Sequence, residues 1–213
     1  MGEVRDSYLV AASSAVALLQ DPAVAAAWSK PSALTEFSVG GLAIHLSHQL
    51  VRVHGVLADG VADGEPIQLL DHYTRSTWVT AGLDHESNIS VRRAGDAAAA
   101  TEGPAALATH IRSVYGGLAS ALPAEPADRI VHLPWAGWSL TLDDFLLTRM
   151  MEIVVHSDDL AASVGVPTPE LPADVVDPVV DLLARLAVYR HGPTAVIRAL
   201  SRAERAPATI SAF

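Results

Sequence analysis

The stretch TLDDFLLTRMMEIVVHSDDLAASVG, from Thr141 to Gly165, decides the fold of this chain. Leu146, Leu147, Met150, Met151, Ile153, Val154 and Val155 make it apolar around most of its circumference. It predicts a long helix from about Thr141 to the neighbourhood of Ser163, ending before Gly165. Thr141, with Asp144 three residues on, resembles a capping arrangement for its start. At about 100° of rotation per residue, His156 falls roughly 40° from Glu152, Arg149 roughly 60° and Asp159 roughly 20° the other way. All four share one stripe. Glu and His four apart point the same way, one turn apart, so a carboxylate oxygen and an imidazole nitrogen are placed to share a cation. A polar stripe on an apolar helix is ordinarily its solvent face. This one carries no Lys or Gln, however, and it includes Phe145, which prefers burial.

Two ligands do not make a site, and the third is sought on a helix predicted from Ser38, a good N-cap, to about Leu57. Leu42, Leu46, Leu50, Val53 and Leu57 form its apolar stripe. His45 and His54 lie on opposite flanks, each about 90° from the stripe centre, whereas His48 is about 150° away. Periodicity thus favours His45 or His54 at the core boundary and does not choose between them. A histidine at a core edge is more often a hydrogen-bonded structural residue than a ligand.

Outward from these two helices, Leu9, Ala12, Val16 and Leu19 predict a first helix from Asp6 or Ser7, either of which would cap it. Residues Asp59 to Gly95 mix Gly, Asp, His and Ser without a clear period and read as a long connection, with one short helix around Leu69 to Val79. Its Asp71-His72 and His85-Glu86 pairs read as surface-loop residues. A third long helix is expected from near Thr101, with Pro104 in its first turn and Leu107, Ile111, Val114, Leu118 and Leu122 as its stripe, stopped by Pro123. Arg129 to Thr141, around Gly137, reads as a short hairpin or an extended loop. Pro167, Pro169 and Pro172 make a linker, followed by two shorter helices, about Ala173 to Arg190 and Pro193 to Arg202. No internal repeat is visible. The expected division is a bundle over residues 1–165 and a short helical extension over 166–213.

The chain has 213 residues, half of them apolar, which is enough for one domain with a real core. Its formal charge is −10, with 14 Lys plus Arg against 24 Asp plus Glu, and no basic patch is visible. Nucleic acid and anionic membranes are therefore disfavoured partners. There is no cysteine, which removes disulfides, thiolate ligands and a cysteine nucleophile together. The opening Met1-Gly2-Glu3-Val4-Arg5-Asp6 shows no secretory pattern, so a cytoplasmic protein is expected. No dinucleotide fingerprint, Walker loop, H-E-x-x-H or serine nucleophile motif is present.

The run Ser38-Val39-Gly40-Gly41-Leu42-Ala43-Ile44-His45-Leu46 resembles the start of helix two in the mycothiol-dependent maleylpyruvate isomerase family, whose fold is a DinB-like metal-binding four-helix bundle. Arg149 to Leu160 resembles the same family's R-x-x-E-x-x-x-H-x-x-D-L signature, and Arg198 to Pro207 resembles its endings. The two motifs stand in the family's order. The resemblance implies a mostly α, DinB-like four-helix bundle with a short helical C-terminal extension. It implies that His45, Glu152 and His156 hold a divalent metal, with zinc expected first and nickel second. It also implies mycothiol as the thiol cosubstrate. The expected partners are then a small thiol and a small electrophile, acted on by a monomer or homodimer.

On this view Arg149 orients Glu152 or an anionic group, and Asp159 orients His156. Trp135 and Trp138 are candidate walls of an apolar pocket. Family isomerases carry a larger C-terminal domain than the stretch following the linker here, so thiol transfer ranks ahead of isomerisation. The alternatives are metal-assisted hydrolysis and a non-catalytic metal-binding or regulatory bundle. A fourth protein ligand such as His48 would support the last.

Overall fold

The computed structural model describes residues 3–60, 62, 64–76, 86–126 and 128–213. Four long helices surround one core: α1 (Glu3–Leu19), α3 (Val39–Ala58), α6 (Pro104–Ala121) and α7 (Leu142–Val164). Each packs on two others in a ring, α3 on α7, α7 on α1, α1 on α6 and α6 on α3. This is the mostly α, four-helix architecture expected of a DinB-like bundle. The short α2 (Pro22–Ala27) leads towards α3, and α4 (Leu69–Thr74) and α5 (Glu86–Thr101) lie between α3 and α6 in sequence. A hairpin of β1 (Ile130–Leu133) and β2 (Trp138–Thr141) precedes α7, with Ile130 opposite Thr141 and Leu133 opposite Trp138. After the prolines, α8 (Ala173–His191) packs on α1 and α7, and α9 (Pro193–Ser201) packs on α8. No helix among the described residues is long and apolar enough to cross a membrane.

The local chemistry explains the boundaries of the two site-bearing helices. Thr141 caps α7 by accepting from the Asp144 N–H at 3.1 Å, and Gly165 ends it at φ 72°, where a side chain is disfavoured. Ser38 caps α3 by accepting from the Gly41 N–H at 2.9 Å. Its hydroxyl in turn donates to Asp96 on α5. Gly40 and Gly41 follow because there is no room for more: a Cβ on Gly40 would sit 2.7 Å from the Trp28 ring, and one on Gly41 would collide with the Asp96 carboxylate. At the other end of α3, Arg129 donates to the carbonyls of Val56 at 2.8 Å and Asp59 at 2.9 Å. A guanidinium there satisfies carbonyls that a helix end leaves open. Arg5 of α1 bonds Asp143 in the first turn of α7 at 2.9 Å and the carbonyls of Glu125 and Pro126, in the connection between α6 and β1.

The structure corrects three expectations. The first helix begins at Glu3, so Asp6 and Ser7 lie inside it and cap nothing; the Ser7 hydroxyl points to Asp174 of α8 at 3.4 Å. Residues 86–101 form α5, not irregular chain. This helix lies against α3 through small residues, with Gly95 close to the Gly41 carbonyl and Ala99 buried, so it has little apolar stripe to read. Thr101 therefore ends α5, and the next helix starts at Pro104 after an N-cap at Gly103. The short helix from Leu69 is present to Thr74; Val79 and His85 lie outside the described residues.

Candidate metal centre

The polar stripe of α7 faces inward. Phe145 is fully buried, Arg149 nearly so, and Glu152, His156 and Asp159 are half-buried against α3. Packing of α3 on α7 brings one histidine of α3 to this stripe, and it is His45. Its Nε2 lies 3.6 Å from Glu152 Oε2, and His156 Nε2 lies 3.1 Å from the same oxygen. The two imidazoles meet edge to face with centroids 4.7 Å apart. His54 is exposed, set against Gly117 of α6. His48 lines a separate hollow with Ser47, Glu102 and His110. The flank that periodicity left open is thus decided by which face of α3 meets α7.

One donor atom from each of His45, Glu152 and His156 lies within 4.8 Å of the other two, the one such group among the described residues. Metal bonds of about 2.0–2.2 Å hold neighbouring donors roughly 3–3.5 Å apart in a tetrahedral shell. The three therefore need little movement to close on an ion. Nitrogen and carboxylate donors without sulfur suit zinc and nickel alike. On the far side of the ring, His156 Nδ1 bonds Asp159 Oδ2 at 2.9 Å. That contact keeps Nδ1 protonated and turns Nε2 to the centre, the arrangement metal-binding histidines ordinarily show.

Charge follows from these contacts. Burial alone would raise the Glu152 carboxyl, but contacts from His156 and His45 and the charges of His156 and Arg149 hold it well below the usual carboxylate range. Burial also pulls the His156 imidazole down; Asp159 and Glu152, one at each ring nitrogen, outweigh it and push its pKa up to about 9. His45 stays below the ordinary histidine value, because burial and the charge of His156 exceed the pull of Glu152. Without metal, His156 is thus an imidazolium between two carboxylates, and its Nε2 proton occupies the position a cation would take.

Arg149 makes no ion pair with Glu152. Its Nη1 donates to Gln49 Oε1 at 2.8 Å, its Nε to Thr148 Oγ1 at 2.9 Å, and its guanidinium lies 5.5 Å from the Phe145 ring centre. Gln49 donates in turn to the His45 carbonyl at 2.9 Å. The amide thus couples the arginine of α7 to the α3 turn that carries the histidine. Sequence reasoning missed Gln49, whose position four residues after His45 puts it on the same face. It also dismissed His72 as a loop residue. His72 is buried on α4 and accepts from the Trp138 indole N–H at 3.1 Å. The two tryptophans divide in role: Trp138 is half-buried in this contact, while Trp135 is exposed, with the Arg52 guanidinium 5.4 Å from its ring centre.

A family model described as the mycothiol maleylpyruvate isomerase N-terminal domain matches residues 9–161. No curated protein and no solved structure matches the chain.

Proposed function

On the premise that the chain belongs to the mycothiol maleylpyruvate isomerase N-terminal domain family, we propose that it is a metal-dependent enzyme acting with a low-molecular-weight thiol, mycothiol, on a small electrophile. Thiol transfer is the reaction we favour, ahead of isomerisation. The observation that carries this reading is the convergence of His45, Glu152 and His156 within 4.8 Å of one another on two packed helices. His45 Nε2, a Glu152 oxygen and His156 Nε2 would hold the ion, with zinc first and nickel second. A divalent ion there supplies Lewis acidity that lowers the pKa of a coordinated thiol, giving thiolate at neutral pH.

The chain's own residues prepare that site. Asp159 takes the Nδ1 hydrogen bond of His156 and so fixes the ring with Nε2 inward. Glu152 remains ionised across the physiological range. Arg149 is a positioning residue: its charge favours the Glu152 carboxylate, and its bond to Gln49 keeps α3 and α7 in register. The chain has no cysteine, so a sulfur nucleophile must arrive on a small molecule. A fourth protein ligand such as His48 would support the non-catalytic alternative; that residue lines a hollow with Ser47, Glu102 and His110, outside the three-residue group.

The test is conjugation of mycothiol to a chromogenic electrophile by zinc-loaded and nickel-loaded protein, with coenzyme A as the competing thiol. Metal-dependent turnover with mycothiol, lost in His156→Ala, is expected. A correctly loaded protein that accelerates neither thiol overturns the reading.

A further inference from the structure

Large apolar side chains left in solvent gather on one part of this molecule. Among the described residues nine stay exposed, and five of these, Val180, Val188, Tyr189, Ile197 and Leu200, belong to α8 and α9. Single exposed apolar residues are ordinary, whereas a group of them marks a contact surface. Helix α8 turns Val175, Val179, Leu182 and Leu186 into the core. At about 100° per residue, Val180, Ala184 and Val188 form a second stripe roughly 130–170° away from the first. Helices α1, α7 and α9 pack on α8, yet Val180 remains 56 % exposed and Val188 38 %. The spacing i, i+4, i+8 is that of a helix-packing ridge, and its smallest side chain stands at the middle, where two axes can approach most closely. Charge along α8 is divided by position. Asp174, Asp177 and Asp181 occupy its first half, and Arg185, Arg190 and His191 its second. Asp181 and Arg185 are ion-paired at 3.0 Å, each more than half exposed. This polarity suits the helix's own dipole. It also makes the outer face complementary to itself when a second copy runs antiparallel, which is what a two-fold interface requires.

We propose that the outer face of α8 is the interface of a two-fold homodimer, in which the two copies of α8 pack antiparallel and cross at Ala184. A two-fold axis there sets each residue before Ala184 against the residue equally far after it in the other copy. Val180 meets the partner subunit's Val188, and Asp177 meets the partner subunit's His191. Asp181 and the partner subunit's Arg185 share one flank of the seam, about 3 Å apart along the axis. The two ion pairs thereby become a ring of four alternating charges. A parallel pair of helices would instead set Asp181 against Asp181 and Arg185 against Arg185. The three residues of the metal centre lie on α3 and α7, so each copy keeps a complete centre.

The test is sedimentation velocity on the full chain across a wide range of concentration, joined to cross-linking. The wild type should pass from 22.3 kDa to twice that mass as its concentration rises through the micromolar range. Val188→Asp should weaken association about tenfold or more, because it sets a carboxylate in the apolar seam. Asp181→Arg and Arg185→Asp should each weaken it about tenfold, by facing like charges across the seam. An equimolar mixture of those two variants should associate as heterodimers at least as readily as the wild type, since each then supplies the charge the other lacks. These three positions are exposed, and the far-ultraviolet circular dichroism should not change. The chain has no cysteine, so Ala184→Cys adds one thiol per chain. Mild oxidation should turn that variant into a disulfide-linked dimer, while Val10→Cys on α1 should stay unlinked. A chain that remains at 22.3 kDa throughout, leaving the face to solvent or to another protein, overturns the proposal. So does a dimer that tolerates Val188→Asp and the single charge changes, or one that Ala184→Cys does not link.

Discussion

Lowering the pH from 8 to 6 should weaken metal binding by about a hundredfold, and one residue should account for it. In the metal-free protein both ring nitrogens of His156 face carboxylates, Glu152 at 3.1 Å and Asp159 at 2.9 Å, so the ring holds its second proton up to a pH of about 9. An ion can reach Nε2 only by displacing that proton. The other two ligands hold their protons less tightly: Glu152 is ionised well below this range, and burial and the charge of His156 keep the His45 pKa under the ordinary histidine value. One proton per ion makes the apparent affinity fall about tenfold per pH unit below 9. Competition against a chromophoric chelator at pH 6, 7 and 8, corrected for the chelator's own protonation, measures the slope. Calorimetry at pH 7 in buffers of differing ionisation enthalpy counts the protons. In Asp159→Asn the slope should level off at lower pH, because one of the two anions that raise His156 is gone. At pH 9 that variant should still bind about 10–100-fold more weakly, for loss of the oriented ring. An affinity flat between pH 6 and 8, or two protons released per ion at pH 7, would refute this reasoning.

Four further outcomes are expected. Of the three histidines on α3, only His45→Ala should abolish stoichiometric metal binding, and His48→Ala and His54→Ala should bind as wild type does in the same titration. The metal-free protein should lose stability as pH rises from 6.5 to 9. The folded pKa of His156 lies above its unfolded value, so its contribution is complete below the unfolded pKa and vanishes through the folded one. The ceiling on that loss is on the order of 3 kcal/mol, or roughly 6–12 °C in Tm by calorimetry. Gly40→Ala should cost about 1–3 kcal/mol in urea unfolding, because its methyl meets the Trp28 ring. Gln49→Leu should cost about 1–3 kcal/mol in the same assay by leaving a buried Arg149 N–H unpaired.

How much the sequence discloses differs from element to element, and the differences have physical causes. Helix α7 is legible from end to end because its caps are chemical: Thr141 at the start and a left-handed Gly165 at the close. The inward turn of its polar stripe was foreshadowed by Phe145, which needs the core and shares that face. Ser38 marks the start of α3 in the same way. The choice between His45 and His54 was not legible from periodicity, since the two are equivalent about the stripe of α3 and only its docking on α7 separates them. It took the resemblance at Ser38 to Leu46 to favour His45. Helix α5 escaped notice because it packs by close approach of Gly95 to Gly41 and not by a row of large apolar residues. His72 escaped because α4 has only 6 residues, too few to show a period. Its burial depends on Trp138, which lies 66 residues further along the chain.

The central claim, that His45, Glu152 and His156 form one metal site, is tested most directly by elemental analysis of protein purified without chelators, alongside His156→Ala. The account predicts about one divalent ion per chain in the wild type and none held stoichiometrically by the variant. Wild type that takes up no ion even after exposure to zinc or nickel, or a variant that retains a full equivalent, would contradict it.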